Sequence, residues 1–400
     1  MVKMIFLLSA FLILPKFAHP AIIFQTNFDN VPTWNPSGAG TPACWQNLTN
    51  DGLNCPAGPL PSSLFSDYRV QDHVCSKIYT SHIGSASDIA SVIATGGQTS
   101  VLPAFTPYGG SGKSYVHFYE PCMSSSGGWG SDGQLGVYFG KSTGYSELYI
   151  QYMVQFMPGF QWVASGVTSG EGQGEQQKLA HIMHVDPTVS AGEFSEFNTN
   201  TRPDFVPALY MNTHWWPVPQ ANPVYYPFEN GSTNASAETP SSPTSINISD
   251  GNWHTIRYHV KLNTTAGLAN NIYSSNGVAE FWIDGVLQTS KSNIAWTLAA
   301  TPNAATYGFN RIDIGGNSDN TWLPGTDGSV RMSNPANPAC AATQSCANQW
   351  YALDNMVVFT NSGDVPATGY VPVSDIAPIP NGGSSSDTTP PAAPTGLRVK

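Results

Sequence analysis

Charge is scarce in this chain. Only 10% of its 400 residues are Asp, Glu, Lys or Arg, and 15 basic against 26 acidic residues leave a formal net charge of -11. That balance argues against a protein that binds nucleic acid by neutralising phosphates. It leaves room for an anionic substrate, because a local basic cleft can sit on an acidic protein. Past the N-terminus no stretch is long and apolar enough for a membrane helix. No internal repeat is visible. The six cysteines show no C-x-x-C spacing, which disfavours a zinc site. Turn formers, in contrast, abound: 38 Gly and 32 Pro, with 12% aromatics. Many short strands joined by turns, an all-β chain, follow from that composition.

Residues 1–21 read as a secretory signal. Lys3 supplies a short basic region, Met4 to Leu14 an apolar core, and Ala18 and Ala21 small residues for cleavage. Export suits Cys44, Cys55, Cys75, Cys122, Cys340 and Cys346 as disulfide partners. Sequence proximity suggests Cys340 with Cys346 and Cys44 with Cys55, which leaves Cys75 with Cys122. Connectivity is not fixed by sequence. Residues 22–373 read as one β-sandwich domain, interrupted by a Cys/Pro/Gly-rich excursion over 31–111 with a short helix near Ser85 to Ala94. Residues 374–400 read as a Pro/Gly/Ser/Thr-rich linker or disordered tail.

The most regular stretch is Asp250 to Gly285. His254, Ile256, Tyr258, Val260 and Leu262 alternate with Thr255, Arg257, His259, Lys261 and Asn263. Period-two alternation predicts a strand with one buried face. Ala279, Phe281 and Ile283 repeat the pattern, and Asp284-Gly285 signals a hairpin into Val286-Leu287. Further strands are predicted at Ile22 to Phe28 on an edge, Tyr115 to Tyr119, Leu135 to Phe139, Glu147 to Met157, Lys178 to Asp186, Phe205 to Trp216, Arg311 to Gly315 and Gln349 to Thr360.

Several of these segments resemble the jelly-roll polysaccharide lyases of the alginate and glucuronan lyase type. ELYIQYMVQF, then Pro-Gly-Phe-x-Trp and KLAHI, is similar to one family passage. DGNWHTIRYHVKLNT with NGVAEFWIDG, IDIGGNSDNTW and WYALDNMVVFT are similar to others. The chain departs from the family at Gln176-Gln177, where a glycine pair is usual, and at Gln151, where Arg is usual. Laminin-G-like and lectin modules share part of the signature. The resemblance implies a concanavalin A-like jelly roll: two antiparallel sheets with long disulfide-pinned loops, and a groove on one of them.

It also implies a chemistry. β-Elimination at a uronate needs a group that neutralises the carboxylate, a base for the adjacent proton and an acid for the leaving oxygen. Gln151 or Asn212 suits the first role; His184, His214 or Lys178 the second; Tyr210 the third. Tyr149, Trp216, Arg257, His259 and Lys261 are candidates for binding neighbouring acidic sugars. His181 and His184 lie three apart, so a regular strand sends them to opposite faces. Leu179 and Val185 look like core, which favours Lys178 and His184 on the open face and leaves His181 structural. Asp29 and Asp354 meet if the terminal strands pair, and lectin-like jelly rolls hold a structural Ca²⁺ at such a place. No cofactor is otherwise required. The expected partner is an acidic polysaccharide, with no nucleic acid and no membrane span; the oligomeric state is not fixed by sequence. A carbohydrate-binding or cell-surface adhesion module without catalysis is the alternative. Glycoside hydrolysis is weaker, because Glu193 and Glu196 are three apart and Asp284 belongs to a turn.

Overall fold

The computed structural model describes residues 22–36, 44–46, 64–65, 67–70, 78–96, 102–119, 129–140, 143–160, 177–184, 195–201, 207–213, 248, 250–264, 268–269, 272–273, 276–294, 296, 308–319, 323–324, 330–331 and 349–360. In chain order its elements are β1 (Ile22–Thr26), β2 (Cys44–Gln46), β3 (Asp67–Val70), β4 (Ser81–Gly84), α1 (Ala86–Thr95), β5 (Ser114–Tyr119), β6 (Trp129–Tyr138), β7 (Glu147–Phe156), β8 (Gln177–Met183), β9 (Ser195–Thr201), β10 (Pro207–Thr213), β11 (Trp253–Lys261), β12 (Leu268–Ala269), β13 (Ile272–Tyr273), β14 (Gly277–Ile283), β15 (Val286–Ile294), β16 (Arg311–Asp319), β17 (Leu323–Pro324), β18 (Val330–Arg331) and β19 (Gln349–Phe359).

Two antiparallel sheets form a jelly-roll β-sandwich. The first runs β15-β14-β11-β7-β19-β5-β4, with β1 also paired to β19. The second runs β10-β9-β8-β16-β6-β3-β2. Alternation explains how they meet. Leu148, Ile150, Tyr152, Val154 and Phe156 of β7 and Ile256, Tyr258 and Val260 of β11 are buried. They share one core with Leu135 and Val137 of β6, Ala180 and Ile182 of β8, and Ile312 and Ile314 of β16. Two core tyrosines, Tyr152 and Tyr258, bury their hydroxyls by bonding each other at 2.8 Å. That satisfies two polar groups that would otherwise be costly inside.

β19 is buried along its whole length because both of its edges and both of its faces are covered. Its first half pairs with β5 and its second half with β1, so β5 and β1 lie end to end along one edge. The expected short helix is present as α1. Ser85 caps it in a capping box with Asp88, and Ile89, Val92 and Ile93 are buried. Part of the 31–111 excursion is covering structure: Phe105 packs edge-on to Trp350 at 5.5 Å, and the Pro103 carbonyl accepts the Trp350 indole N–H at 3.2 Å. Cys55, Cys75, Cys122, Cys340 and Cys346 lie outside the described residues, as do residues 1–21 and 361–400.

Asp284 (φ 49) and Gly285 (φ 75) make the expected two-residue hairpin between β14 and β15. In β16, Gly315 (φ 85) stands where register with β8 is lost. A Cβ there would meet the Gly133 carbonyl and lie 2.6 Å from the Tyr115 hydroxyl. Gly315→Ala is therefore expected to cost about 2–3 kcal/mol from the left-handed backbone and the clash. Urea unfolding should show a lower midpoint at unchanged slope; an unchanged midpoint would contradict the packing.

Candidate functional site

Each sheet has one face outside the core, and the two outer faces are built differently. On the first sheet the row Thr255, Arg257, His259 and Lys261 does lie on the outer face, as alternation predicts. Its groups are taken up by neighbours. Arg257 sits opposite Gln151 and donates from Nε (3.0 Å) and Nη2 (2.7 Å) to the Gln151 Oε1. His259 lies between Glu280 (2.7 Å) and Glu147 (2.9 Å). Its ring stacks on Tyr149 at 4.1 Å, and Tyr149 stacks on Phe359 at 5.3 Å. Arg257, His259, Tyr149 and Gln151 are all buried. Lys261, by contrast, is exposed, 3.5 Å from Glu147. This face is a cross-strand ladder that ties four strands together. The residues expected to form a sugar-binding row thus bond one another across the strands, with Lys261 left exposed. Gln151 is likewise bound into this ladder and stands apart from Lys178, which belongs to the other sheet.

The second sheet differs. β8 pairs Lys178 with Asn200, then His181 with Asn198. Two residues of β8, Leu179 and Ala180, therefore oppose Thr199 alone, which is a β-bulge. Both are buried in the core. The extra residue resets the alternation, so positions 178 and 181 share the outer face although they are three apart. His184 takes the core parity with Ile182; it is buried and its Nδ1 lies 2.7 Å from the Gly308 carbonyl. The assignment of His184 to the open face is thus corrected in favour of His181. The parity argument failed because it assumed a regular strand.

Register carries the row across the sheet. Asn198 is opposite Tyr210, and Glu196 is opposite Asn212. His181 is opposite Asp313, and Arg311 is opposite Met183 and Tyr138. Cross-strand partners share a face, so positions 178, 181, 210, 212, 311 and 313 belong to one surface. Within it Arg311 Nε donates to Asp313 Oδ1 at 2.9 Å, and Gln134 Nε2 donates to Asp313 Oδ2 at 3.3 Å. Arg311, Asp313 and Gln134 are buried, whereas His181 is half-buried. Sequence reading missed these three. The Arg-Ile-Asp alternation opening β16 was the available signal. His214 and Trp216 lie outside the described residues.

The Asp29–Asp354 expectation concerns the edge where β1 and β5 meet beside β19. The two carboxylates are near enough that Asp29 helps raise Asp354. Burial is the larger cause, and Asp354 is pushed up to about 7 against hydrogen bonds from Ser114 and the Asn355 N–H. Ser114 Oγ donates to Asp354 Oδ2 at 2.5 Å and the Asn355 N–H to Oδ1 at 2.7 Å. Asp29 accepts from the Lys113 N–H (2.8 Å) and Asn27 Nδ2 (3.0 Å). Each of these carboxylate oxygens accepts an N–H or O–H donor. Among the described residues no group of three or more His, Cys, Asp or Glu could hold a metal. No helix among them is long and apolar enough to cross a membrane.

No family model matches this chain, and no curated protein matches it. Solved structures with a similar arrangement include an endo-β-1,4-glucuronan lyase from the fungus Trichoderma reesei. It has 13% identity and a TM-score of 0.36, covering 62% of this chain and 82% of that one. An alginate lyase from Aplysia kurodai has 13% identity and a TM-score of 0.37 over 70% of this chain and 98% of that one. An alginate lyase from a Chlorella virus has 12% identity and a TM-score of 0.35 over 65% and 88%.

Beside the first sheet's ladder, His254 clamps the β14–β15 turn. Its Nδ1 lies 2.7 Å from Asp284 and its Nε2 3.0 Å from Asp250. Burial pulls its pKa down, but the bonds and charges of Asp284 and Asp250 outweigh this and raise it. A raised histidine stabilises the fold fully below its unfolded value of about 6.5 and loses that contribution as pH climbs through the raised folded value. Urea midpoints should therefore fall as pH rises across this window, and Asp284→Asn should flatten the slope. A slope unchanged in the variant would exclude the clamp.

Proposed function

We propose that this chain is a secreted protein that cleaves a uronate-containing polysaccharide by β-elimination on the outer face of its second sheet. The observation that supports this most is the Arg311–Asp313–Gln134 cluster beside His181, on a sheet surface to which positions 178, 210 and 212 belong by register. In this reading Arg311 and Asn212 neutralise the substrate carboxylate, so that charge developing beside it is tolerated. His181 or Lys178 takes the proton from the carbon next to that carboxylate. The electron pair forms the new C=C bond, the glycosidic C–O bond breaks, and Tyr210 protonates the leaving oxygen. Asp313 holds Arg311 in place. The apolar N-terminal segment supports export.

A screen against alginate, glucuronan and related polyuronates, watching for ultraviolet-absorbing unsaturated ends, tests the reading. His181→Ala should lower kcat by about 10²–10⁴-fold, the usual size of an acid–base contribution. Lys261→Ala, on the opposite sheet, should leave it unchanged. Binding without product on every substrate would replace the lyase by a carbohydrate-binding module.

A further inference from the structure

The outer face of the second sheet sets a cation beside a candidate base. Asp313 of β16 is the cross-strand partner of His181. Directly opposed residues of an antiparallel pair hold their Cβ atoms about 4.5–5.5 Å apart. Arg311 is opposite Met183, two residues along β8 from His181. It therefore stands on the diagonal, about 7–8 Å away. A guanidinium at that range disfavours the imidazolium, because like charges repel. Uncompensated, it would weaken the base that an elimination needs.

Asp313 supplies the compensation. Its Oδ1 accepts the Arg311 Nε–H at 2.9 Å, and its Oδ2 accepts from Gln134 Nε2 at 3.3 Å. Asp313 is 1% exposed and Arg311 7%, so salt and water screen the pair little. Seen from His181 the pair is close to neutral, with the anion as its nearer end. The other chargeable positions on this face are Lys178 on the same strand, Glu196 on β9 opposite Met183, and Tyr210 on β10 beyond Asn198. Tyr138 on β6 lies beyond Arg311, and Asp67 on β3 lies beyond Gly136. Directly across from His181 stand only Asp313 and the neutral Asn198. Lys178 has the neutral Asn200 as its β9 partner, and its register with β16 is irregular. Of the two candidate bases, His181 is thus the one that register sets against a carboxylate.

We propose that Asp313 is a positioning residue with two partners: it fixes Arg311 for the substrate carboxylate and cancels that cation's field at His181, which is the base. The inference rests on the lyase reading of this face. The proton leaves the carbon beside the uronate carboxylate for an imidazole nitrogen, and the C–H electron pair becomes the C=C bond. The C–O electron pair departs with the glycosidic oxygen, which Tyr210 protonates. The imidazolium so formed then faces the Asp313 charge, which favours it.

Variants of opposite charge sense separate this role from a structural one. The readout is the titration of the His181 imidazole in the ligand-free full chain, followed by proton NMR and assigned with His181→Gln. Asp313→Asn leaves Arg311 uncompensated and should move the titration to lower pH by about one unit. Arg311→Gln leaves Asp313 uncompensated and should move it to higher pH by a similar amount. Arg311→Lys keeps the charge and should titrate near the wild type. With a polyuronate as substrate, the acid limb of kcat/KM should follow the same order, since it reports the free enzyme. Shifts of the same sign in Asp313→Asn and Arg311→Gln, or no shift, would overturn the proposal whatever the activity. An acid limb that stays fixed while the titration moves would also overturn it, by assigning the base elsewhere. Opposite shifts without unsaturated product on any polyuronate would uphold the charge coupling and overturn the lyase reading alone. The two Arg311 variants carry the test if Asp313→Asn does not fold.

Discussion

One shared core constrains everything else in this molecule. Leu148, Ile150, Tyr152, Val154 and Phe156 from one sheet pack in a single cluster with Leu135, Val137, Ala180, Ile182, Ile312 and Ile314 from the other. Period two then leaves each strand one other face, whose polar groups must find partners nearby. The first sheet meets this demand internally. Arg257 and Gln151, and His259 with Glu147 and Glu280, bond across β7, β11 and β14. The second sheet carries on its outer face a buried Arg311–Asp313–Gln134 cluster beside His181.

The fold was legible in the residues because alternation and turn chemistry are local. His254 to Leu262, Glu147 to Phe156 and the Asp284-Gly285 turn became the strands and hairpin they predict. The first strand does pair with the last, as the sequence led one to expect. The site was less legible. Arg257, His259 and Lys261 look alike whether they wait for substrate or pair with glutamates on the next strand. Only register separates those cases. Lys178 and His181 show the same limit: a single extra residue in β8 inverts every face assignment beyond it, and no residue type announces it. A neighbouring Leu179-Ala180 pair, both buried, is its only trace.

Histidine and lysine act in this structure chiefly by whom they meet. His254 and His259 each bridge two carboxylates and knit turns and strands. Lys113 ties the start of β5 to the loop after β1 through the Val31 carbonyl. Arg311 is fixed by a carboxylate two residues along its own strand, which preorganises a cation on the face proposed to bind substrate.

The central claim is that the second sheet, and not the first, receives the polysaccharide. Hydrogen–deuterium exchange of the full chain with and without a saturating uronate oligosaccharide tests it most directly. The account predicts slowed exchange in β8, β9, β10 and β16, with β11 and β14 unaffected. Protection confined to β7, β11 and β14 would contradict it.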